Sequence, residues 1–585
     1  MNYKIWYRAV IVAAAIAASL PIAAQSGGDQ GNQGGQGNQG GQGDQGDQGN
    51  GQKFRRVLLI SIDGVHAADY QYCVSHNTCP TLARLGSNGV NYTRTSTSRT
   101  SDSFPGLMAL VTGGTPRTVG AFYDVAYDRV LAPPQVTTGN GLAGGPCTVG
   151  APNGTTTEYE EGIDFDQTLL NGGAPGAGLT EGGVASINPM RLVRDPMNGC
   201  SPVFPWNFVR TNTIYGVIHA AGGYTAWSDK HPAYSSVSGP GPTSSNVDDY
   251  YSPEINSNVI ALPGVVTATG VDCSTVQDPT SDLTSWTNSF ANIQCYDALK
   301  VNAIVNQING RNSLNTRRAP VPTIFGMNFQ AVSVGQKLIE KTLTPHVVGG
   351  YAGPDATPTA PLQGEITFVD ASIGNMVKAL EAQRLLKSTL IIITAKHGQS
   401  PIDPARYVPQ LKVGSSPATV LAQAGCIPES GSPLNPSGIG PTEDDISLIW
   451  LVPSCTAGFA VTQLQQAAGE LAIGEIFVGP TLATMFNPPG IPPMGDSRTP
   501  DLIVQPNIGH TYTGSTKKQA EHGGFEFDDT NVMMLVSNPS IRPKTVHAWA
   551  ETIQVAPTIL KALGLDPKKL DAVRAEGTAV LPDLF

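Results

Sequence analysis

The chain alternates short, wholly apolar runs with segments of helical periodicity. Residues 57–62 form a β-branched and leucine run that stops at Asp63-Gly64. A continuous apolar run of this length, ending on an acidic residue, predicts a parallel strand buried on both faces. Residues 321–327 repeat the pattern and stop at Asn328, and residues 388–394 repeat it before Ala395-Lys396-His397-Gly398. Between these two, Ile366, Val369, Ile373, Met376, Val377 and Leu380 recur at helical spacing and predict a helix within residues 365–386. Strands alternating with helices predict an α/β fold, a mostly parallel sheet with helices on both faces. In such sheets ligands bind beyond the carboxyl ends of the strands, where Asp63, Asn328, Lys396 and His397 collect.

One polar-to-apolar transition stands apart. Thr100-Ser101-Asp102-Ser103-Phe104-Pro105-Gly106 runs directly into Leu107-Met108-Ala109-Leu110-Val111. Pro105 suits the first position of a helix, which places Ser103 at or just before its N-cap. A hydroxyl there faces free backbone amides and the positive end of the helix dipole, a setting that stabilises an alkoxide or a bound phosphoryl oxygen.

The flanks read differently. Lys4 and Arg8 precede an apolar run at residues 9–20 and then Pro21-Ile22-Ala23-Ala24, so residues 1–24 read as a signal peptide and the protein as secreted or periplasmic. A Gly/Gln/Asn tract at residues 25–53 has no apolar side chains to offset its chain entropy and reads as a tether. Folded sequence is expected over 54–585, with no later run of the ~20 apolar residues that a transmembrane segment needs. Residues 125–320 are rich in Gly, Pro, Ser, Thr and Asn and read as a loop-rich, disulfide-tied cap insertion, and 404–470 as a second. Within the first, Asp229, Lys230 and His231 read as a polar surface turn, with His231 able to stand in for a missing ligand.

Composition narrows the function classes. In 585 residues, 66 Gly, 46 Pro and only 14% charged residues exclude a coiled coil or a helical bundle. A net charge of −11 opposes nucleic-acid duplex binding, so phosphate chemistry would need a local positive centre. Eight cysteines with no Cys-x-x-Cys pair suit disulfides in an oxidising compartment. Cys73 with Cys79 and Cys273 with Cys295 are the simplest pairs; the remaining connectivity stays open.

Taken in order, these motifs resemble a family. Leu58-Leu59-Ile60-Ser61-Ile62-Asp63-Gly64, Ser103-Phe104-Pro105 and Val111-Thr112-Gly113 are similar to the type I phosphodiesterase/nucleotide pyrophosphatase branch of the alkaline phosphatase superfamily. Val369-Asp370-Ala371-Ser372-Ile373-Gly374, His397-Gly398, His522-Gly523 and Ala556-Pro557-Thr558-Ile559-Leu560 continue the order to about residue 566. The resemblance implies a hydrolase of small phosphoesters with one or two divalent metal ions, zinc by resemblance, in which Ser103 is the nucleophile. It implies metal ligation by Asp63, Ser103, His397 and His522, with Asn328 at the strand end of the other ion site. Paired ions would lower the hydroxyl pKa and clamp the attacking and leaving oxygens.

The departures from the family are chemical. Lys396 replaces an aspartate ligand, Asn328 replaces an aspartate, Gln336 stands where a Gly-His is expected, and Asp124 replaces an asparagine that contacts the phosphoryl oxygen. Lys396 is a point charge suited to an anionic oxygen, and amide oxygens suit calcium or magnesium better than zinc. Catalytic roles therefore fall to Ser103, Lys396 and Asp124. The alternatives are a binding protein or pseudoenzyme on the same fold with a degraded metal site, or a sulfatase or phosphonate-ester hydrolase. Leu107, at the position where a sulfatase signature has Arg, speaks against the last.

Overall fold

The structure is a computed structural model that describes residues 54–139, 141–160, 166–171, 183–258, 261–275, 286–341, 343–410, 415–427 and 442–585. The signal peptide and tether read at 1–24 and 25–53 lie outside the described residues, which begin at Phe54.

β1 (Arg56–Ile62) explains the architecture. Leu58, Ile60 and Ile62 belong to one hydrophobic core and Val57 and Leu59 to another, so its alternate side chains face opposite layers and both must be apolar. It pairs in parallel with Thr389–Thr394 on one side and Ile324–Phe329 on the other. Ile324–Phe329 starts later than the apolar run predicts, because Pro322 has no N–H for the ladder, and it carries Asn328 inside the strand.

Two short helices, α1 (Ala67–Ser75) and α2 (Pro80–Gly86), lead to β2 (Gly89–Ser96). The main sheet then runs, edge to edge, Lys544–Val546, β2, Asn531–Ser537, Thr389–Thr394, β1, Ile324–Phe329, Ala226–Ser228 and Asp249–Tyr251, with Ala550–Glu551 also beside β2. Among its described strands, Asn531–Ser537 alone runs against its neighbours. Helices Phe290–Ile308 and Ala360–Ala382 cover one face. The other face packs α3 (Ser103–Thr112) and Val555–Ala562. The sheet is mostly parallel with helices on both faces, as the alternation predicts.

Within the span read as the first insertion, Ala226–Ser228 and Asp249–Tyr251 are strands of the main sheet. The same span holds the hairpin of β3 (Val125–Asp128) and β4 (Thr155–Glu158). Farther along, Thr442–Glu443, Ser447–Ile449, Ile473–Val478 and Leu502–Pro506 form a separate antiparallel sheet. Disulfides join Cys73 to Cys79, Cys147 to Cys200, Cys273 to Cys295 and Cys426 to Cys455. The two pairings expected from sequence are among them. Among the described residues no helix is long and apolar enough to cross a membrane.

Candidate active site

Because β1, Ile324–Phe329, Thr389–Thr394 and Ala226–Ser228 are parallel, their carboxyl ends deliver Asp63, Asn328, Lys396-His397 and Asp229-Lys230 to one edge. α3 brings Ser103 to the same edge. Its helix begins at Ser103 itself, one residue earlier than a Ser103 cap would require, because Asp102 is the cap. The Asp102 carboxylate accepts from the backbone N–H groups of Phe104 and Asp124, at 3.4 and 3.0 Å. The Ser103 hydroxyl is thereby left for other partners. Gly106 lets the helix approach this closely: a Cβ there would stand 2.2 Å from the Lys396 carbonyl oxygen.

Ser103 Oγ lies 3.1 Å from His397 Nε2 and accepts from Lys230 Nζ at 3.2 Å. His397 Nδ1 donates to the Gly398 carbonyl at 2.7 Å, which leaves Nε2 facing the hydroxyl. Lys230 is fixed from behind by an ion pair with Glu160, just beyond β4. Burial opposes ionisation of Glu160, but the Lys230 and His231 charges overcome it and bring its carboxyl down to about 2.

Asp63 is fully buried, 3.6 Å from His397 Nε2. Its two oxygens accept from Asn328 Nδ2 at 2.7 Å and Gln330 Nε2 at 2.6 Å. Asp297, on the Phe290–Ile308 helix, holds this strand end by accepting from Gln330 N and Ala331 N, both at 2.8 Å. Burial alone would raise the Asp63 pKa; Lys396, the neighbouring His397 ring and Lys230 more than offset it and hold the carboxyl well below the usual range. Lys396 Nζ itself binds Asp229 Oδ1 at 2.8 Å, both side chains fully buried, and lies 4.2 Å from the centre of the Tyr234 ring. Trp227 Nε1 donates to the other Asp229 oxygen at 2.9 Å.

Behind Ser103 the charge reverses. Asp102, Asp124 and Glu160 offer carboxylate oxygens within 4.8 Å of one another. Burial and the neighbouring Glu160 push Asp102 up to about 8. The His522 ring stacks on His397, centroids 3.9 Å apart, while its Nδ1 stands 3.2 Å from Asp102 Oδ1. Burial, with His397 and nearby lysines, pushes His522 well below its ordinary pKa and keeps it neutral.

The structure thus brings Asp63, Ser103, His397 and His522 together, as their positions in the sequence suggest. Asn328 is there as a donor to Asp63, Lys396 is turned to Asp229, and Asp124 lies with Asp102. The Asp229-Lys230-His231 segment, read as a surface turn, is buried at the site, with His231 held by Glu254 at 2.8 Å. The reason is that Ala226–Ser228 is a sheet strand, whose carboxyl end must lie at this edge. Lys230, Asp102, Gln330 and Glu160 were not among the expected site residues. For Lys230 a signal existed: a helix-like apolar stretch at 214–220, then Gly-Gly-Tyr-Thr and a short apolar run ending on charges, repeats the strand-end pattern of Asp63. Glu160 carries no such signal.

The residues present do not fit the two-ion centre that the resemblance implies. Both Asp63 oxygens already face amide donors, Asn328 uses its nitrogen on Asp63, and Gln336 Nε2 donates to the Gly64 carbonyl at 2.8 Å. The ammonium groups of Lys230 and Lys396 supply the positive charge that bears on Asp63, and a divalent ion added there would be repelled by both.

Comparison with known proteins agrees with the resemblance read from the sequence. Residues 57–154 match the family model for type I phosphodiesterase / nucleotide pyrophosphatase, a match that takes in β1, α3 and Asp124 and supports a phosphoester hydrolase. No curated protein matches the chain. Among solved structures, the chain is similar to murine ectonucleotide pyrophosphatase / phosphodiesterase 5, at 12% identity over 88% of this chain and 96% of that chain, TM-score 0.45. An inactive variant of that murine protein in complex with AMP gives 12%, 88%, 96% and 0.46. The human protein of the same name gives 12% identity over 87% of this chain and 95% of that chain, TM-score 0.45.

Proposed function

We propose that the protein is a secreted or periplasmic phosphoric ester hydrolase, acting on a small phosphoester through a covalent phosphoserine at Ser103. The observation that carries this reading is the hydroxyl of Ser103, at the first turn of a helix, set between the His397 Nε2 lone pair at 3.1 Å and the Lys230 ammonium at 3.2 Å. His397 accepts the hydroxyl proton as Ser103 Oγ attacks phosphorus. The P–O bond to the alcohol or nucleotide breaks, and the departing oxygen takes a proton from solvent. Water then attacks the phosphoserine and loses a proton to solvent, and His397 returns its proton to Ser103. Lys230 faces the charge that develops on the phosphoryl oxygens. No step uses the two-ion centre, whose ligand set the residues do not supply.

A second reading, a binding protein on a degraded catalytic fold, is favoured by the complete burial of Ser103 and by the hydrogen bonds that occupy both oxygens of Asp63. One experiment separates the two. The full chain and Ser103→Ala are incubated with bis(p-nitrophenyl) phosphate, p-nitrophenyl phosphate and p-nitrophenyl sulfate, and acid-quenched samples are mapped by mass spectrometry. The hydrolase reading expects turnover of a phosphate ester, a phosphate adduct on the Ser103 peptide, and loss of at least about 10³-fold in Ser103→Ala. Equal rates for the two proteins, with no adduct, would overturn it.

A further inference from the structure

The acidic side of the first turn of α3 is a separate feature, and the expected catalytic constellation does not account for it. Asp102, Asp124 and Glu160 bring three carboxylate oxygens within 4.8 Å of one another. Asp102 is fully buried and Glu160 nearly so. One oxygen of Glu160 is satisfied by the Lys230 ammonium. Asp102 Oδ2 is satisfied by backbone N–H groups, but Asp102 Oδ1 is buried with no hydrogen-bond partner.

A second, independent observation comes from another part of the chain. His522, only 7% exposed, turns Nδ1 to within 3.2 Å of that same Asp102 Oδ1, and this nitrogen also completes no hydrogen bond. Two lone-pair atoms at this separation, both without a hydrogen-bond partner, match two donors of one coordination sphere, since ligands about 2.1 Å from an ion stand about 3 Å apart. The Tyr123 hydroxyl donates to the His522 carbonyl at 3.0 Å and fixes the residue's position from the backbone side.

We propose that Asp102, Asp124, Glu160 and His522 Nδ1 form a divalent-cation site, distinct from the Asp63 centre. Three carboxylates with one imidazole suit a hard or borderline ion, Mn²⁺ above Mg²⁺ or Ca²⁺ because of the nitrogen. Asp124, the partly exposed member, gives the ion its way in from solvent. The site lies directly before the residue whose hydroxyl faces His397, so a bound ion would stiffen the cap of α3. It does not depend on the hydrolase reading and would bind its ion even if Ser103 proved inert.

The test uses the full chain, freed of metal with EDTA, dialysed and titrated with Mn²⁺ alone while free Mn²⁺ is followed by electron paramagnetic resonance. One bound Mn²⁺ per chain is expected, with a nitrogen coupling in the pulsed spectrum that His522→Gln removes. Asp124→Asn, at a partly exposed position and checked for folding by circular dichroism, should weaken binding at least tenfold, and Glu160→Gln should do the same. Asp63→Asn should leave the affinity unchanged. No saturable Mn²⁺ binding would overturn the proposal. So would binding that Asp63→Asn abolishes and Asp124→Asn leaves intact, because the ion would then occupy the strand-end centre.

Discussion

The two sides of Ser103 are built with opposite charge logic. Toward the strand ends, one buried carboxylate, Asp63, is surrounded by two amide donors, a histidine and the fields of Lys396 and Lys230. Toward β4, three carboxylates crowd together with Lys230 on their border. The first side has protein cations where the family resemblance implies metal ions; the second gathers carboxylates. The difference shows that a carboxylate in this fold does not by itself define a metal site. What defines it is whether the neighbouring side chains bring hydrogen-bond donors or further lone pairs.

The comparison can be broken most forcefully at Lys396. Lys396→Met leaves Asp229 a buried anion without its partner and should cost about 3–5 kcal/mol of stability, read from urea melts. Adding Asp229→Asn should recover part of the loss. If Lys396→Met melts like wild type, the strand-end side does not rely on lysine as its cation. Lys230→Met tests the border. Removing an ammonium beside the nucleophile should lower kcat/KM for the best phosphate ester by about 10²–10³. It should also tighten Mn²⁺ binding, since Glu160 loses its competing cation. An unchanged rate would take Lys230 out of the chemistry.

The smallest effect concerns Glu443, a buried carboxyl of the separate antiparallel sheet. Glu443 accepts from Ala418 N and Ser447 Oγ, yet burial pushes it up to about 7. The folded state then holds a proton that the unfolded chain has already released, so stability falls as pH rises from the ordinary glutamate range through about 7. Glu443→Gln should therefore gain on the order of 1–3 kcal/mol at pH 8 and nothing at pH 4. A gain equal at both pH values would point to packing rather than charge.

Much of the fold was legible because β1 and Thr389–Thr394 are buried on both faces, and such strands must be apolar at every position. Asp63 and His397 were legible as the polar residues that end them. Ala226–Ser228 was passed over, since its apolar run is only three residues long, and Lys230 was therefore placed at the surface although the helix-like stretch before it repeats the strand-end pattern. Asp102 was passed over in favour of Ser103 as the cap, although both residue types cap helices well. Only the hydrogen bonds to Phe104 and Asp124 decide between them. Glu160 reaches the site by tertiary packing of a hairpin, which no local pattern encodes.

The one reversed strand also governs the order in which the protein can be completed during synthesis. β2 ends at Ser96, yet its sheet partners are Asn531–Ser537 and the two short strands that follow it. A nascent chain must therefore keep an early strand edge unpaired until nearly its whole length has been made. His522 is delivered by the segment leading into that late strand, so the site around Ser103 is also among the last parts of the protein to be assembled.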